Sequence, residues 1–131
     1  MNRIPARITN IQVHEGVSCV TFDAFGESLT MISLELPQGV ERAKEVVLGI
    51  KSTHIAISAR KLPEAAISNQ IPMTIGKITE GAVLASLTLL FKDVTIESIV
   101  PKAALANLSF APDDTAIALF QASELSILKV L

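Results

Sequence analysis

Apolar and polar residues alternate along much of this chain, in short blocks. Val20, Phe22 and Ala24 stand two apart within Val17 to Phe25, as do Val83, Ala85, Leu87, Leu89 and Phe91 within Ala82 to Phe91. A period of two predicts half-buried β-strands. Shorter β-type segments precede these two, Arg7 to Val13 and Thr74 to Thr79. Others follow: Ser28 to Leu36, Glu45 to Ile50 and Thr53 to Ser58, then Val94 to Val100, Thr115 to Phe120 and Glu124 to Leu128. Polar or glycine-containing pairs, Glu15-Gly16, Gly26-Glu27, Glu80-Gly81 and Lys92-Asp93, mark the turns. Helical prospects are few. Pro101 to Leu108, with Ala103, Ala104 and Ala106, predicts one or two helical turns. Pro37 to Ala43 is a weaker equivalent because it carries Gly39.

The blocks form a repeat. Asn2-Arg3-Ile4-Pro5 recurs as Asn69-Gln70-Ile71-Pro72, a shift of 67 residues. After each copy come a short strand, Glu-Gly, a longer strand, a polar turn and a strand ending at Pro37 or Pro101. The closing segments also align, Lys51-Ser52-Thr53-His54-Ile55-Ala56-Ile57 with Gln121-Ala122-Ser123-Glu124-Leu125-Ser126-Ile127. Each half therefore reads as five strands with a short helix after the third. That order matches a small OB-type barrel, in which a helix fills the gap between strands three and four. The expectation is an all-β protein of two tandem OB-like five-stranded β-barrels. The first spans residues 1–60 and the second 66–131, with a linker at about 61–65 around Arg60-Lys61-Leu62-Pro63-Glu64.

Composition narrows the function classes. Half of the 131 residues are hydrophobic, which excludes a disordered chain. The apolar run Ala82 to Phe91 is too short to span a bilayer. With Cys19 alone there is no disulfide framework, and His14 and His54 fall in unlike contexts of the repeat, which argues against a shared metal. Eleven basic residues against thirteen acidic ones discourage a nucleic-acid partner, and the aromatics that single-strand binding uses are limited to five Phe. Met1 to Arg7 lacks the apolar core of a signal peptide, so a cytoplasmic location is expected. Nothing assembles into a catalytic constellation, and Asp113-Asp114 reads as a solvated turn. Cys19, within a predicted strand, reads as a small buried apolar residue. Barrels of about 60 residues are marginal alone, so either the halves share a core or the protein is an oligomer.

Taken in order, these landmarks (Asn-x-Ile-Pro, Glu-Gly, strand–turn–strand, Pro-x-x-x-Leu-x-x-Leu, then Lys-Ser-Thr-x-Ile-x-Ile) resemble a Mop-type, or molbindin, domain, a class also grouped under the TOBE name. The resemblance covers residues 2 to 58 and 69 to 128 and implies a tandem of two Mop domains. It implies binding rather than catalysis, with molybdate or tungstate as ligand, no covalently bound cofactor, and sites between Mop domains. It also implies a homo-oligomer, a trimer or dimer of tandems, serving storage, homeostasis or sensing. A tetrahedral dianion needs convergent N–H donors, hydroxyls and one or two positive charges.

By the same resemblance the oxyanion-contacting positions are Lys51, Ser52 and Thr53, with Gln121, Ala122 and Ser123 in the second copy. Ile67, Ser68 and Asn69 lie at the entry to the second repeat. Lys51 carries most weight, since it follows a strand and precedes two hydroxyls. Gln121 offers only a neutral donor. The family's Ser-Ala-Arg before Asn-Gln is replaced by Ala66-Ile67-Ser68, and its hydroxyls after strand three by Leu34, Pro37, Pro101 and Ala104. Ser68-Asn69 also suits a plain turn, and the repetition of Asn2 at Asn69 argues for a structural role at strand entry. A Mop-type assembly or regulatory domain that has lost the ligand is the alternative reading.

Overall fold

The computed structural model describes all residues, 1–131. Strands β1 to β5 are Asn2–His14, Val17–Ala24, Glu27–Ser33, Glu45–Ile50 and Ala56–Ser58. Strands β6 to β10 repeat the series as Asn69–Glu80, Leu84–Phe91, Val94–Pro101, Thr115–Phe120 and Ser126–Val130. The period-two pattern is what places them. In β1, Asn2, Ile4, Ala6 and Ile8 are buried between exposed Arg3, Pro5 and Arg7, and β2 buries Ser18, Val20, Phe22 and Ala24. Cys19 does not join that face; it is half-buried on the outer one, opposite Gln12 and Ile32.

β1 and β6 begin earlier than Arg7 and Thr74, because each continues back through a proline. Pro5 lies opposite Val47 of β4, while pairing with β2 starts only at Arg7. At Pro5 one flank is therefore an edge, where the missing N–H costs nothing. Pro72, opposite Ile117 and ahead of the first β7 pair at Thr74, repeats the arrangement. The register shifts between Ile8 and Asn10, and again between Ile75 and Lys77, where each strand passes from one partner to the other.

The expected helices shrink. Pro101 to Leu108 yields a single 3-10 turn, Lys102–Leu105, and Pro37 to Ala43 has no helix, with Gly39 at φ 84 and Ala43 at φ 69. Segments this short cannot offset helix nucleation, and left-handed residues break the ladder. Two further 3-10 turns, Ser52–His54 and Ala122–Glu124, occupy the starts of the expected closing strands.

All strand pairs are antiparallel, in two five-stranded sheets ordered β10-β4-β1-β2-β3 and β5-β9-β6-β7-β8. The sheets do not coincide with residues 1–60 and 66–131. Each takes its outermost strand from the other half, β10 completing the first sheet and β5 the second. The connections explain why. Lys51 (φ −72, ψ 142) and Ile55 (φ −104, ψ 114) flank the first turn in extended conformations, as Gln121 and Leu125 flank the other. Extended flanks carry the chain onward to the neighbouring sheet, where a hairpin would send it back. The Ser52–His54 turn packs on β8, the Ala122–Glu124 turn on β3, and β5 also touches β8, so the sheets curl in the manner of an OB-type half-barrel.

Exchange gives the halves a common interior. A cluster of 23 buried residues runs through both, from Ile4, Phe22 and Leu48 to Ile75, Leu89 and Phe120. It includes Ile55 and Leu125, 1% and 3% exposed, which anchor the two crossing segments. Burying each such side chain contributes roughly 1.5–3 kcal/mol. No helix is long and apolar enough to cross a membrane.

Candidate functional site

The strand pairing decides which of the expected site residues meet. Asn2 pairs with Ile50, which places Lys51, Ser52 and Thr53 beside the first residues of the chain. Asn69 pairs with Phe120, which places Gln121, Ala122 and Ser123 beside Ile67 and Ser68. The nine positions thus form two equivalent clusters, one at each crossing of the chain between sheets.

Each cluster is built on an asparagine clamp. Asn69 Nδ2 donates to the Thr30 carbonyl at 2.9 Å, and its Oδ1 accepts the Thr30 N–H at 2.8 Å. Asn2 holds Glu97 in the same way, at 2.8 and 2.9 Å. Thr30 and Glu97 are themselves one repeat apart. A primary amide reproduces the donor and acceptor of a peptide group, so each asparagine blunts an edge strand of the opposite sheet. The structural role expected from the Asn2 and Asn69 repetition is what the geometry displays. Asn69 is fully buried and its amide is engaged, so that side chain is not open to a ligand.

Above each clamp lies a 3-10 turn, closed by His54 N–H to Lys51 O at 2.9 Å and Ile55 N–H to Ser52 O at 3.5 Å in the first, and by Glu124 N–H to Gln121 O at 3.0 Å in the second. Side chains then differ. Lys51 and Thr53 are exposed and Ser52 half-buried, whereas Gln121 and Ser123 are exposed and Ala122 is buried. The hydroxyls of Ser52, Thr53, Ser68 and Ser123 take no part in intramolecular hydrogen bonds, and Lys51 has no ion-pair partner. The first cluster therefore presents one free cation and two free hydroxyls.

The two turns meet through His54 Nδ1 and Glu124 Oε2, 2.8 Å apart. The other ion pair in the protein joins His14 to Glu15 at 3.6 Å, both nearly fully exposed. His54 and Glu124 belong to the site's framework although the sequence reading gave them no place in it. The signal was their alignment in the repeat, with opposite ionisable character at one position.

Gln70 was also missed. It holds the linker, accepting from Leu62 N–H at 2.7 Å and donating to the carbonyls of Leu62 and Ile67 at 3.0 and 3.1 Å. A cleft of about 530 Å³ opens there, lined in part by Ser28, Lys61, Ile67 and Ser68. No group of three or more His, Cys, Asp or Glu side chains is placed to hold a metal ion. The Asp113-Asp114 turn is as expected, with Asp114 Oδ2 accepting the Ala111 N–H at 2.8 Å.

A curled two-sheet fold with paired surface turns describes a small β-type module of the OB kind. Residues 65–127 match the TOBE domain family. Over nearly its whole length the chain is similar to a solved structure of the cytoplasmic molybdate-binding protein ModG with molybdate bound. The two are 24% identical with a TM-score of 0.87, over 96% of this chain and 94% of that one. At that identity the likeness establishes the fold, here across both halves. No curated protein sequence matches the chain.

Proposed function

We propose that this protein is a cytoplasmic oxyanion-binding protein whose ligand is molybdate or tungstate, serving storage, homeostasis or sensing rather than catalysis. The observation that carries the reading is the Lys51-Ser52-Thr53 turn, with an unpaired ammonium and two unengaged hydroxyls on a TOBE-type scaffold. The molybdate bound by ModG, a protein of the same fold, supports it. Such donors suit a small dianion, and net acidity does not oppose one whose field is local.

Lys51 would supply the charge, Ser52 and Thr53 hydroxyl donors, and Ser68 and Ser123 weaker equivalents in the second cluster. Gln121 would donate as a neutral amide, while Ile67, Asn69 and Ala122 would contribute backbone. The sites would be completed between Mop-type units of a homo-oligomer, a trimer or dimer of tandems. Exposed Val13, Val17, Leu34, Val83 and Leu84 support such an assembly.

Calorimetric titration of molybdate and tungstate into the purified protein tests the ligand. Saturable binding with a rise in Tm is expected, and the absence of both at concentrations well above micromolar rejects the reading. Light scattering after size exclusion tests the assembly, which a clean monomer contradicts. A second reading, a Mop-type assembly or regulatory domain without ligand, is favoured by one observation. The second turn has no cation, buries Ala122 and carries the Glu124 carboxylate. Elemental analysis after growth in molybdate-supplemented medium separates the two readings.

A further inference from the structure

Arg7 and Arg42 line one cleft of about 490 Å³, together with Ile8, Thr9 and Ala43. It lies in the first half at the β1 bulge. The backbone there is tied in both directions: Ile8 N–H donates to Lys44 O at 2.9 Å, and Ala43 N–H to Ile8 O at 2.8 Å. Ala43 holds a left-handed φ of 69, which fixes the loop bearing Arg42 against the strand bearing Arg7. Neither guanidinium makes an ion pair. Asp23 and Glu45 lie opposite Arg7 in the sheet and line a neighbouring cleft that Arg7 also borders, without forming an ion pair with it.

The second half isolates what the arginines are for. There the same scaffold recurs, with Ile75 N–H to Asp114 O at 2.8 Å, Asp113 N–H to Ile75 O at 2.7 Å, and Asp113 at φ 74. The residues matching Arg7, Thr9 and Arg42 are Thr74, Gly76 and Pro112. The loop therefore folds without either arginine, and the first half carries two like charges facing one cleft. Two planar guanidiniums in reach of one volume are suited to a tetrahedral oxyanion, each offering a fork of N–H donors.

We propose that the Arg7–Arg42 cleft is a second anion site, distinct from the turn clusters, and that it takes a phosphate group. Thr9 adds little, since its hydroxyl already donates to Thr21 O at 3.0 Å. Both arginines are exposed, so affinity depends on ionic strength.

The test is an amide and guanidinium NMR titration of the full chain with inorganic phosphate, and separately with glycerol 1-phosphate, against chloride at matched ionic strength. Saturable shifts are expected at Arg7, Ile8, Arg42 and Ala43. Binding of both ligands identifies the phosphate group of an ester as sufficient, and binding of inorganic phosphate alone identifies the free ion. Arg7→Gln and Arg42→Gln should each weaken binding about 10-fold or more, with Tm unchanged. Arg42→Lys should recover part of the loss, and Lys51→Ala should leave the shifts at Arg7, Ile8, Arg42 and Ala43 in place. Absence of saturable shifts at the cleft overturns the proposal, as does unchanged binding in the glutamine variants. Loss of the cleft shifts in Lys51→Ala also overturns it, by showing the two sites to be one. A failure of molybdate binding leaves these readouts untouched.

Discussion

The two closing turns share one backbone and carry two chemistries. Lys51 at φ −72, ψ 142 and Gln121 at φ −73, ψ 147 enter equivalent 3-10 turns, packed on the edge strands β8 and β3 respectively and followed by a buried Ile55 or Leu125. The first turn reads Lys-Ser-Thr-His and the second Gln-Ala-Ser-Glu, with Ala122 buried where Ser52 is half-buried. The two copies keep the asparagine clamps and an apolar anchor that fix the path, and differ in chemistry chiefly at the turn residues. Backbone geometry is thus set from below, by the asparagine clamps and the apolar anchors. The turn residues are free to hold a ligand or lose it.

The clamps supply the largest test of that separation. Asn69→Ala removes both bonds to half-buried Thr30 and leaves its N–H and C=O without partners, beside the space vacated by a fully buried side chain. The expected loss is roughly 2–5 kcal/mol, read from denaturant unfolding. Asn2→Ala deletes the same pair of bonds at a position 8% exposed, against exposed Glu97, where water replaces part of what is lost. A smaller loss is expected there. Equal losses would show that the two clamps are not distinguished by burial.

Next in size is a contrast between glycines. A Cβ on Gly49 of β4 would lie 2.6 Å from Leu128 Cγ, because Leu128 of the exchanged β10 folds over that glycine. Gly49→Ala should cost about 1–3 kcal/mol by overpacking, with part recovered in Gly49→Ala/Leu128→Ala. Gly76 of β6 has no neighbour closer than 3.6 Å to such a Cβ, so Gly76→Ala should be neutral or slightly stabilising. Similar penalties in both would mean that strand exchange does not impose the Gly49 contact.

Strand positions were legible because burial enforces period two, and the duplication was legible through Asn2-Arg3-Ile4-Pro5 and its copy. The exchange of β5 and β10 was not. Ala56–Ser58 and Ser126–Val130 have similar local patterns, so either could pair with either fourth strand. What decides is the extended backbone at Lys51 and Gln121, a three-dimensional fact that no period records. Prolines misled at the strand starts, since tolerance of Pro5 depends on which neighbour is present at that one residue. Within the candidate site, Lys51, Ser52 and Thr53 were named through the resemblance of their segment to a Mop-type domain. The His54–Glu124 contact was not, because its partners are 70 positions apart and meet only through the crossing.

On the ligand side the comparison is sharpened by moving the charge. Lys51→Ala should reduce molybdate or tungstate affinity about 10-fold without changing stability, since Lys51 is exposed and unpaired. Gln121→Lys, adding the missing cation to the second turn, should raise affinity or stoichiometry in the same titration. Unaltered binding in both variants would remove the turns from the site.

The smallest expected effect concerns the one ion pair that joins the turns. His54 and Glu124 side chains are 36% and 39% exposed, so solvent screens their attraction despite the 2.8 Å separation. A double-mutant cycle with His54→Ala and Glu124→Ala should give a coupling of only about 0.2–1 kcal/mol. The pair then orients the turns more than it stabilises them, and its influence should show in binding. Removing the Glu124 carboxylate takes a negative charge from beside the first cluster, so Glu124→Gln should modestly increase anion affinity. The increase should shrink as salt is added, because it acts through space. A coupling several times larger, with no change in affinity, would instead make the contact part of the scaffold. The line between conserved path and variable surface would then run through His54 and Glu124 rather than around them.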